Sequence, residues 1–444
     1  MDMQTRESSL GWGGIFRLGL VQTALGAMVV LATSTFNRVM VVELALPAMV
    51  PGILVGLHYI TQLFRPRMGH GSDVGGRSTP WIIGGMGVLG LGTLGAAAST
   101  ALLDDATATG FALAALAYVL IGLGVGAAGT NLLVLLAKRV AENRRGAAAS
   151  VVWMMMIAGF AVTATTAGRY LDPYSGSRLV AVTAAVVGIA LVVMLVALKG
   201  LERGASVVAR DATQGARVPF MQALREVWAE AEARQFTIFV FISMLAYSAQ
   251  DLILEPFAGT VFGLSVGEST SLSGLQHQGV FAGMIAVAVV TSLASRAWLG
   301  SLKLWTVAGC LGSALTLALL SVASLKAPAW PLATTVFALG FANGAFAVAA
   351  IGSMMANAGH GTRAREGVRM GLWGAAQASA FGIGGFAGTV MSDVAHAILG
   401  SPVQAYAVVF GLEGALFLVS AILAAQLHVH RTSRAPATRG PVFT

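Results

Sequence analysis

The chain has 444 residues, of which 56% are hydrophobic and only 10% are charged. Soluble domains carry about 25% charged residues, so this composition excludes an ordinary soluble protein and indicates an integral membrane protein. The net charge of +8 would suit a nucleic-acid partner, but the sequence lacks the basic, aromatic-interleaved stripe that single-strand binders need. We therefore expect a lipid bilayer as the surrounding partner and no nucleic acid.

Long uncharged stretches recur along the whole chain, each close to the roughly 20 residues that a helix needs to cross a bilayer. They predict an all-α membrane protein with twelve transmembrane helices in two pseudo-symmetric six-helix bundles. The bundles are expected over residues 1–198 and 236–430, with a cytoplasmic linker at 199–235 and a cytoplasmic tail at 431–444. The predicted helices span residues 16–38, 47–64, 80–100, 110–137, 146–167, 179–198, 236–256, 273–295, 304–324, 332–356, 370–391 and 403–427.

The Lys and Arg residues set the predicted orientation, because short loops rich in these residues stay on the cytoplasmic side. If both termini are cytoplasmic, only four of the 27 Lys and Arg residues fall outside the inward segments: Arg38, Arg169, Arg178 and Lys326. We therefore expect a multi-pass protein with both termini in the cytoplasm. The first apolar run is too long for a cleaved signal peptide, so it is assigned to helix 1.

The linker contains apolar residues at helical spacing with charges between them: Phe220, Ala223, Leu224, Val227, Trp228 and Ala231. This periodicity predicts a short amphipathic helix that lies on the cytoplasmic leaflet. The alternative interpretation is a plain tether between the two bundles.

The loop after predicted helix 2 contains Gly69, Asp73, Gly76 and Arg77 at the spacing G-x-x-x-D-x-x-G-R. An acid near a helix N-terminus is favoured by the helix dipole, and glycine tolerates the positive φ that tight turns need. The string resembles the loop signature of the major facilitator superfamily, and it follows the second of twelve helices, as it does in that superfamily. The resemblance implies an inner gate in which Asp73 and Arg77 brace neighbouring helix ends.

His58 lies seven residues from both Pro51 and Arg65, about 10 Å from either end of its predicted helix. An ionisable side chain at that depth is costly and is a functional candidate by default. One interpretation is a neutral histidine that only bonds a neighbouring helix. The other is a ligand to a metal or a pigment, because neutral imidazole binds metals well.

Glu413 is the one acid at the centre of a predicted span. A bare carboxylate there would be prohibitive, so we expect it to be protonated, paired or liganded. Three interpretations stay open: a proton-coupling site, a contact to a polar group of a bound ligand, and an acid whose partners make it purely structural.

Four charged residues are predicted near the outer side of the membrane. Arg38 ends predicted helix 1 and Asp251 lies near the outer end of predicted helix 7, and these helices are equivalent if the two halves are related. Opposite charges there would close an outer gate or pin the two halves together, and Glu43 and Glu255 extend the cluster. The alternative is a set of solvated helix-end charges, since exposed pairs contribute little.

Three segments carry a more specific resemblance: residues 34–86, residues 131–160 ("NLLVLLAKRVAENRRGAAASVVWMMMIAGF") and residues 250–270 ("QDLILEPFAGTVFGLSVGEST"). They are similar to the PucC/LhaA-type light-harvesting complex assembly proteins, the bacteriochlorophyll-delivery family of the major facilitator superfamily. The resemblance covers nearly all twelve predicted helices and is more specific than the loop signature.

This resemblance implies a protein of the cytoplasmic (intracytoplasmic) membrane of a phototrophic bacterium. It implies that bacteriochlorophyll a is a transient cargo, delivered to light-harvesting antenna polypeptides beside bacteriochlorophyll synthase and the membrane insertion machinery. Joined to the mid-membrane residues, it makes His58, Glu413 and His277 the candidates for pigment binding, with His58 as the candidate axial ligand to the pigment magnesium. No other metal site is expected.

Two other classes of protein are alternatives to this prediction. A proton-coupled major facilitator transporter of a small hydrophobic solute has the same fold, and fold alone does not exclude it. A membrane enzyme such as a pigment prenyltransferase would need clustered acids to hold Mg²⁺ and diphosphate, whereas the adjacent acids Asp104 and Asp105 fall in a predicted outer loop. We therefore expect no enzymatic activity.

Overall fold

The computed structural model describes residues 10–64, 68, 77–103, 108–141, 144–202, 225, 228–293, 300–358 and 366–426. These residues contain twelve helices of 13 residues or more and no strand, so the all-α prediction is confirmed. The helices are α1 Trp12–Glu43, α2 Met49–Thr61, α3 Thr79–Leu102, α4 Ala108–Arg139, α5 Arg145–Leu171, α6 Gly176–Leu198, α7 Ala231–Phe262, α8 Val266–Leu293, α9 Leu302–Lys326, α10 Leu332–Ala358, α11 Glu366–Leu399 and α12 Pro402–Gln426.

Ten of these helices are long and apolar enough to cross a membrane, which makes this a multi-pass membrane protein. The other two, α2 and α11, were also predicted as spans, and they pack against each other. The helix α2 has only 13 residues and continues as a short 3₁₀ segment, Gln62–Phe64. The helix α11 is 34 residues long, and its sequence is rich in Gly, Ala and Ser.

Helix ends differ from the prediction by up to eight residues, at the end of α11, and α1 and α7 are longer than predicted at both ends. The helix α7 begins at Ala231, five residues before the predicted start. The prediction began later because the first turn is polar and does not belong to the uncharged stretch that identified the helix. The helix α1 continues to Glu43 through two π-helical segments, Leu31–Thr35 and Val39–Glu43. Such wider turns rotate the side chains that follow, and they occur often at functional sites. The predicted amphipathic helix of the linker lies largely outside the described residues.

The hydrophobic core separates into two main clusters that follow the two halves of the chain. One cluster joins α1 to α6, with Leu252 and Val266 added from the second half, and the other joins α7 to α12. The halves meet along two seams, one between α5 and α8 and one between α2 and α11. At the first seam a Cβ on Gly168 would lie 2.6 Å from the carbonyl oxygen of Gly267, so small residues permit this close approach.

Candidate functional site

The two halves are held together at one end of the bundle, which we call the distal end because it is opposite Leu10 and Gln426. The helix α1 reaches this end at Glu43, and α2 and α8 begin there. Hydrogen bonds between the halves are concentrated at this end, and most of them come from three groups: the side chain of Arg38, the carboxyl of Glu255, and two aspartates at or near helix ends.

The first group is the guanidinium of Arg38, which is only 2% exposed. It forms an ion pair with Glu43 at 2.5 Å, and it donates to the Leu264 carbonyl at 2.7 Å and to the Ser269 hydroxyl at 3.1 Å. A buried charge is tolerated when it is paired and its donors are satisfied. Arg38 therefore connects the end of α1 to the start of α8.

The second group is the carboxyl of Glu255 on α7, which is 1% exposed. It accepts hydrogen bonds from Ser34 on α1 and from Thr270 on α8. The Ser34 hydroxyl also lies 2.7 Å from the Ser273 hydroxyl. Glu255 is thus a contact point for three helices from both halves.

The predicted pairing of Arg38 with Asp251 is wrong for the described structure, because Arg38 forms its ion pair with Glu43. Asp251 lies one helical turn before Glu255, farther from the distal end. The cluster predicted from four charges is therefore a cluster of Arg38, Glu43 and Glu255, and Asp251 belongs to the middle of the bundle.

The third group consists of two aspartates that cap helices of the opposite half. Asp172, after α5, accepts from the Gly267 N–H at 3.0 Å and from the Ser265 hydroxyl at 2.5 Å, at the start of α8. Asp393, in α11, accepts from the Ala48 N–H at 3.0 Å and from the Met49 N–H at 2.7 Å, at the start of α2. Since α5 corresponds to α11 and α8 to α2, the two caps are equivalent. Sequence reasoning missed both, because their partners are distant in the chain.

The inner-gate motif is described only at Arg77, since Gly69, Asp73 and Gly76 lie outside the described residues. Arg77 is exposed and lies 3.9 Å from Glu202, which follows α6. Glu202 caps the start of α3 by accepting from the Ser78 N–H at 2.6 Å and the Thr79 N–H at 3.0 Å. Partial burial alone would raise the pKa of Glu202, but these hydrogen bonds and the Arg77 charge together lower it.

His58 lies on the buried face of α2 and is 3% exposed. Its Nε2 lies 2.9 Å from Nε2 of Gln62, and its ring meets Tyr59 edge-on with centroids 4.8 Å apart. The backbone of the same residue touches Gly122 of α4. His58 thus sits inside the first half with one ring nitrogen engaged, and its role as a ligand stays a prediction.

His277 lies on α8 at the seam with α5, and its side chain is half-buried. Its Nδ1 lies 2.8 Å from the Ser273 carbonyl. A carbonyl only accepts, so Nδ1 carries the proton, and in the neutral ring Nε2 carries the lone pair. The ring meets Phe160 of α5 edge-on, with centroids 5.1 Å apart.

Aromatic rings also line the other seam. The Phe381 ring of α11 lies 5.8 Å from the Tyr59 ring of α2 and 5.8 Å from the Tyr247 ring of α7. All three side chains are half-buried. The middle of both seams is therefore aromatic, in contrast to the hydrogen-bonded distal end.

Glu413 is fully buried inside the second half, on α12. Neither of its carboxyl oxygens has a hydrogen-bond partner among the described residues. The three predicted pigment contacts thus lie in different places: His58 within the first half, His277 at the α5–α8 seam and Glu413 within the second half.

Comparison with solved structures shows that the chain has the major facilitator transporter fold. The D-xylose-proton symporter superposes with a TM-score of 0.69 over 93% of this chain and 98% of that chain, at 13% identity. The model of the family described as "PUCC protein" matches residues 35–432, and the chain belongs to this family.

Two curated relatives from Rhodobacter capsulatus are similar along nearly their whole length. The "Bacteriochlorophyll synthase 44.5 kDa chain" is 51% identical over 94% of this chain and 95% of its own. "Protein PucC" is 27% identical over 93% of this chain and 92% of its own.

Proposed function

We propose that this chain is a membrane assembly factor that binds bacteriochlorophyll a and delivers it to light-harvesting complexes. The observation that carries the proposal is the middle of the α5–α8 seam, where the half-buried imidazole of His277 lies edge-on to Phe160 and has no partner at Nε2 among the described residues. The similarity to the bacteriochlorophyll synthase chain and to PucC of Rhodobacter capsulatus supports the identity of the cargo.

His277 is the pigment ligand that this geometry favours among the three predicted candidates. Its Nδ1 is held by the Ser273 carbonyl, and an imidazole fixed in this way presents Nε2 in a defined direction and tautomer, as metal-binding histidines do. The magnesium of the pigment would take that lone pair. His58 has a Gln62 contact at Nε2, so it ranks second.

The surroundings of His277 suit a flat apolar ring. Phe160 contacts the imidazole edge-on. Next to it, Ile157, Val280 and Met284 form a small buried cluster with partly buried neighbours on the same seam: Trp153, Met154, Met156, Phe160 and Phe281. Methionine side chains adapt to irregular shapes, and aromatic side chains make stacked or edge-on contacts with a flat ring.

The proposed setting is the cytoplasmic or intracytoplasmic membrane of a bacterium, with both termini in the cytoplasm, as the distribution of Lys and Arg indicates. In that orientation the distal end faces outwards. Handover to antenna polypeptides then takes place within the bilayer, beside bacteriochlorophyll synthase and the insertion machinery.

We further propose that the chain is not an enzyme, although one relative is called a synthase chain. A synthase acting on a diphosphate would hold Mg²⁺ through clustered acids. Among the described residues no group of three or more His, Cys, Asp or Glu side chains could hold a metal ion. Asp104 and Asp105 lie outside those residues.

The proposal is tested by purifying the chain in mild detergent from a phototroph without antenna polypeptides and recording its absorption spectrum. We expect a bacteriochlorophyll band that His277→Ala removes and that His396→Ala, an exposed histidine on α11, leaves intact. A folded chain without pigment, which also takes up none when bacteriochlorophyll a is added, would contradict the proposed function.

A second candidate is a proton-coupled transporter of a small hydrophobic solute, favoured by the buried carboxyl of Glu255 between the two halves. Its test is solute-dependent proton uptake into liposomes, with Glu255→Gln as the variant expected to lose it. Uptake without any pigment binding would favour this candidate over pigment delivery.

A further inference from the structure

The second half contains buried polar groups that neither the pigment nor the distal contacts use. Gln250 on α7, Asn343 on α10 and Glu413 on α12 are all fully buried. Among the described residues, five of their side-chain atoms have no hydrogen-bond partner: both oxygens of Glu413, both polar atoms of Gln250, and Nδ2 of Asn343. Leaving such atoms unpaired costs about 1–3 kcal/mol each. We therefore expect these five atoms to be satisfied by one another or by a bound group.

Contacts between rings fix Glu413 and Asn343 at the same depth. The Phe346 ring of α10 lies 6.1 Å from the Phe417 ring of α12. These two helices run in the same direction. Asn343 is three residues before Phe346 and Glu413 is four residues before Phe417. Both side chains therefore lie on the same helix faces as these rings, one turn closer to the N-termini of the two helices.

The same reasoning places Gln250 beside them. The Phe257 ring of α7 lies 5.4 Å from the Tyr406 ring of α12. Gln250 is seven residues before Phe257 and Glu413 is seven residues after Tyr406. Since the two helices are antiparallel, both steps are two turns towards the same end of the bundle and return to the facing sides.

Asn343 is already engaged on one side, because its Oδ1 accepts from the Ser313 hydroxyl of α9 at 2.7 Å. It therefore offers only a donor to Glu413. Gln250 offers one donor and one acceptor. An ionised Glu413 could use the two donors, but the Gln250 carbonyl would then face a second acceptor and stay unpaired.

No described basic group lies near this depth to neutralise a carboxylate. On α7, α9, α10, α11 and α12 the Lys, Arg and His residues whose side chains are described lie towards the helix ends: Arg234, Lys303, Lys326 and His396. The other titratable side chains within about two turns of Glu413 on these helices are Tyr247, Asp251, Cys310 and Tyr406. Asp251 is a second acid and supplies no positive charge.

We propose that Glu413 is a proton-binding site in the middle of the second half, formed by an acid–amide pair with Gln250. In the proposed site these side chains turn from the unpaired positions of the described structure, so that the protonated carboxyl donates its O–H to the Gln250 carbonyl and the Gln250 and Asn343 amides both donate to the other carboxyl oxygen. This arrangement satisfies all five atoms. Asp251 is half-buried and lies one turn after Tyr247, whose ring contacts Phe381 in the aromatic seam, so we place the entry point for the proton at Asp251.

Infrared spectroscopy of the full chain in detergent tests the proposal, because the C=O stretch of a protonated carboxyl is separate from carboxylate and amide bands. We expect a band at neutral pH that moves on exchange into D₂O and that Glu413→Gln removes. Glu413→Gln preserves size and can still pair with Gln250, so it is expected to fold. Glu255→Gln, at the distal end, is the matched control and leaves the Glu413 band in place.

Gln250→Met then tests the pair itself, since it removes the amide and retains the volume. The expected result is a shift of the Glu413 band to the frequency of a carboxyl with one fewer hydrogen bond. A spectrum that Glu413→Gln does not change would overturn the proton site and favour an ionised carboxyl satisfied by buried water. A Glu413 band unmoved by Gln250→Met would overturn the acid–amide pair.

Discussion

The distal end and the middle of the two seams differ in how their polar atoms are used. At the distal end Arg38, Glu255, Asp172 and Asp393 each have partners in the opposite half. In the middle of the α5–α8 seam His277 keeps a lone pair without a partner among the described residues, beside aromatic rings. Polar groups that have partners hold the two halves together at the distal end, whereas the unengaged nitrogen of His277 marks the place where we propose that a ligand binds.

Replacing Arg38 should weaken the distal end more than any other single change proposed below. Arg38→Met leaves the ion-pair partner Glu43 uncompensated and removes donors to Leu264 and Ser269. Glu43 is 33% exposed, so water can solvate it, but each lost hydrogen bond from the charged guanidinium costs about 1.5–3 kcal/mol, and we expect a large loss of thermal stability in detergent. Arg169→Met, at an exposed site on α5, is the control, and equal stability of the two variants would refute the role of Arg38.

Replacing His277 tests the middle of the α5–α8 seam in the same way, through its preference for the magnesium-containing pigment. We expect the native chain to prefer bacteriochlorophyll a over its magnesium-free form by at least about tenfold, and His277→Ala to remove that preference, as loss of a ligand or its support does at metal sites. Fluorescence titration with both pigments measures it. A His277→Ala chain that still prefers the magnesium form would reject this ligand but leave pigment binding itself intact.

The two aspartate caps predict a pair of equal, smaller effects. Asp172→Asn and Asp393→Asn each keep one acceptor and lose the charge at a helix N-terminus, so each should cost about 1 kcal/mol. The two caps share no hydrogen-bond partner, so the double variant should show the sum. Thermal unfolding of the three variants measures this, and a double variant no less stable than either single one would contradict independent caps.

Glu202 gives the smallest effect, because its cap lies within one half and is partly exposed to solvent. Its pKa is lowered in the folded chain, so the unfolded chain binds more protons in acid. Its stabilisation is present above the ordinary pKa of 4.5 and is lost as the pH falls through the lowered value. We expect Glu202→Gln to reduce stability by less than about 1 kcal/mol near pH 7 and to match the native chain in strong acid. An equal difference at both pH values would contradict this assignment.

The sequence predicted the twelve helices because each one requires a long apolar run, and that requirement is local. It also identified Arg38, Glu43 and Glu255 as a cluster, since charged residues near the end of a membrane helix need partners. The choice of partner depended on the local turn: Arg38 pairs with Glu43, five residues later, and not with Asp251, and the segment Val39–Glu43 between them is π-helical. No pattern in a short window signals such turns.

The candidate site was predictable only in part, for a similar reason. His58, His277 and Glu413 stand out as ionisable residues in apolar helices, yet their different environments depend on which helix each one faces. The partners Gln250 and Asn343 carried no signal, because neutral amides are inconspicuous in such helices. The Asp172 and Asp393 caps depend on packing between halves.

The Asp393 cap has a consequence for the making of the protein. The two backbone N–H groups that begin α2 are bonded by a carboxylate that lies 345 residues after Ala48. At about 5–20 residues per second, a ribosome needs roughly 20–70 s to make that stretch. During this time the start of α2 must find water, lipid headgroups or a helper protein in place of Asp393, so the short second helix reaches its final environment only when the eleventh has been synthesised.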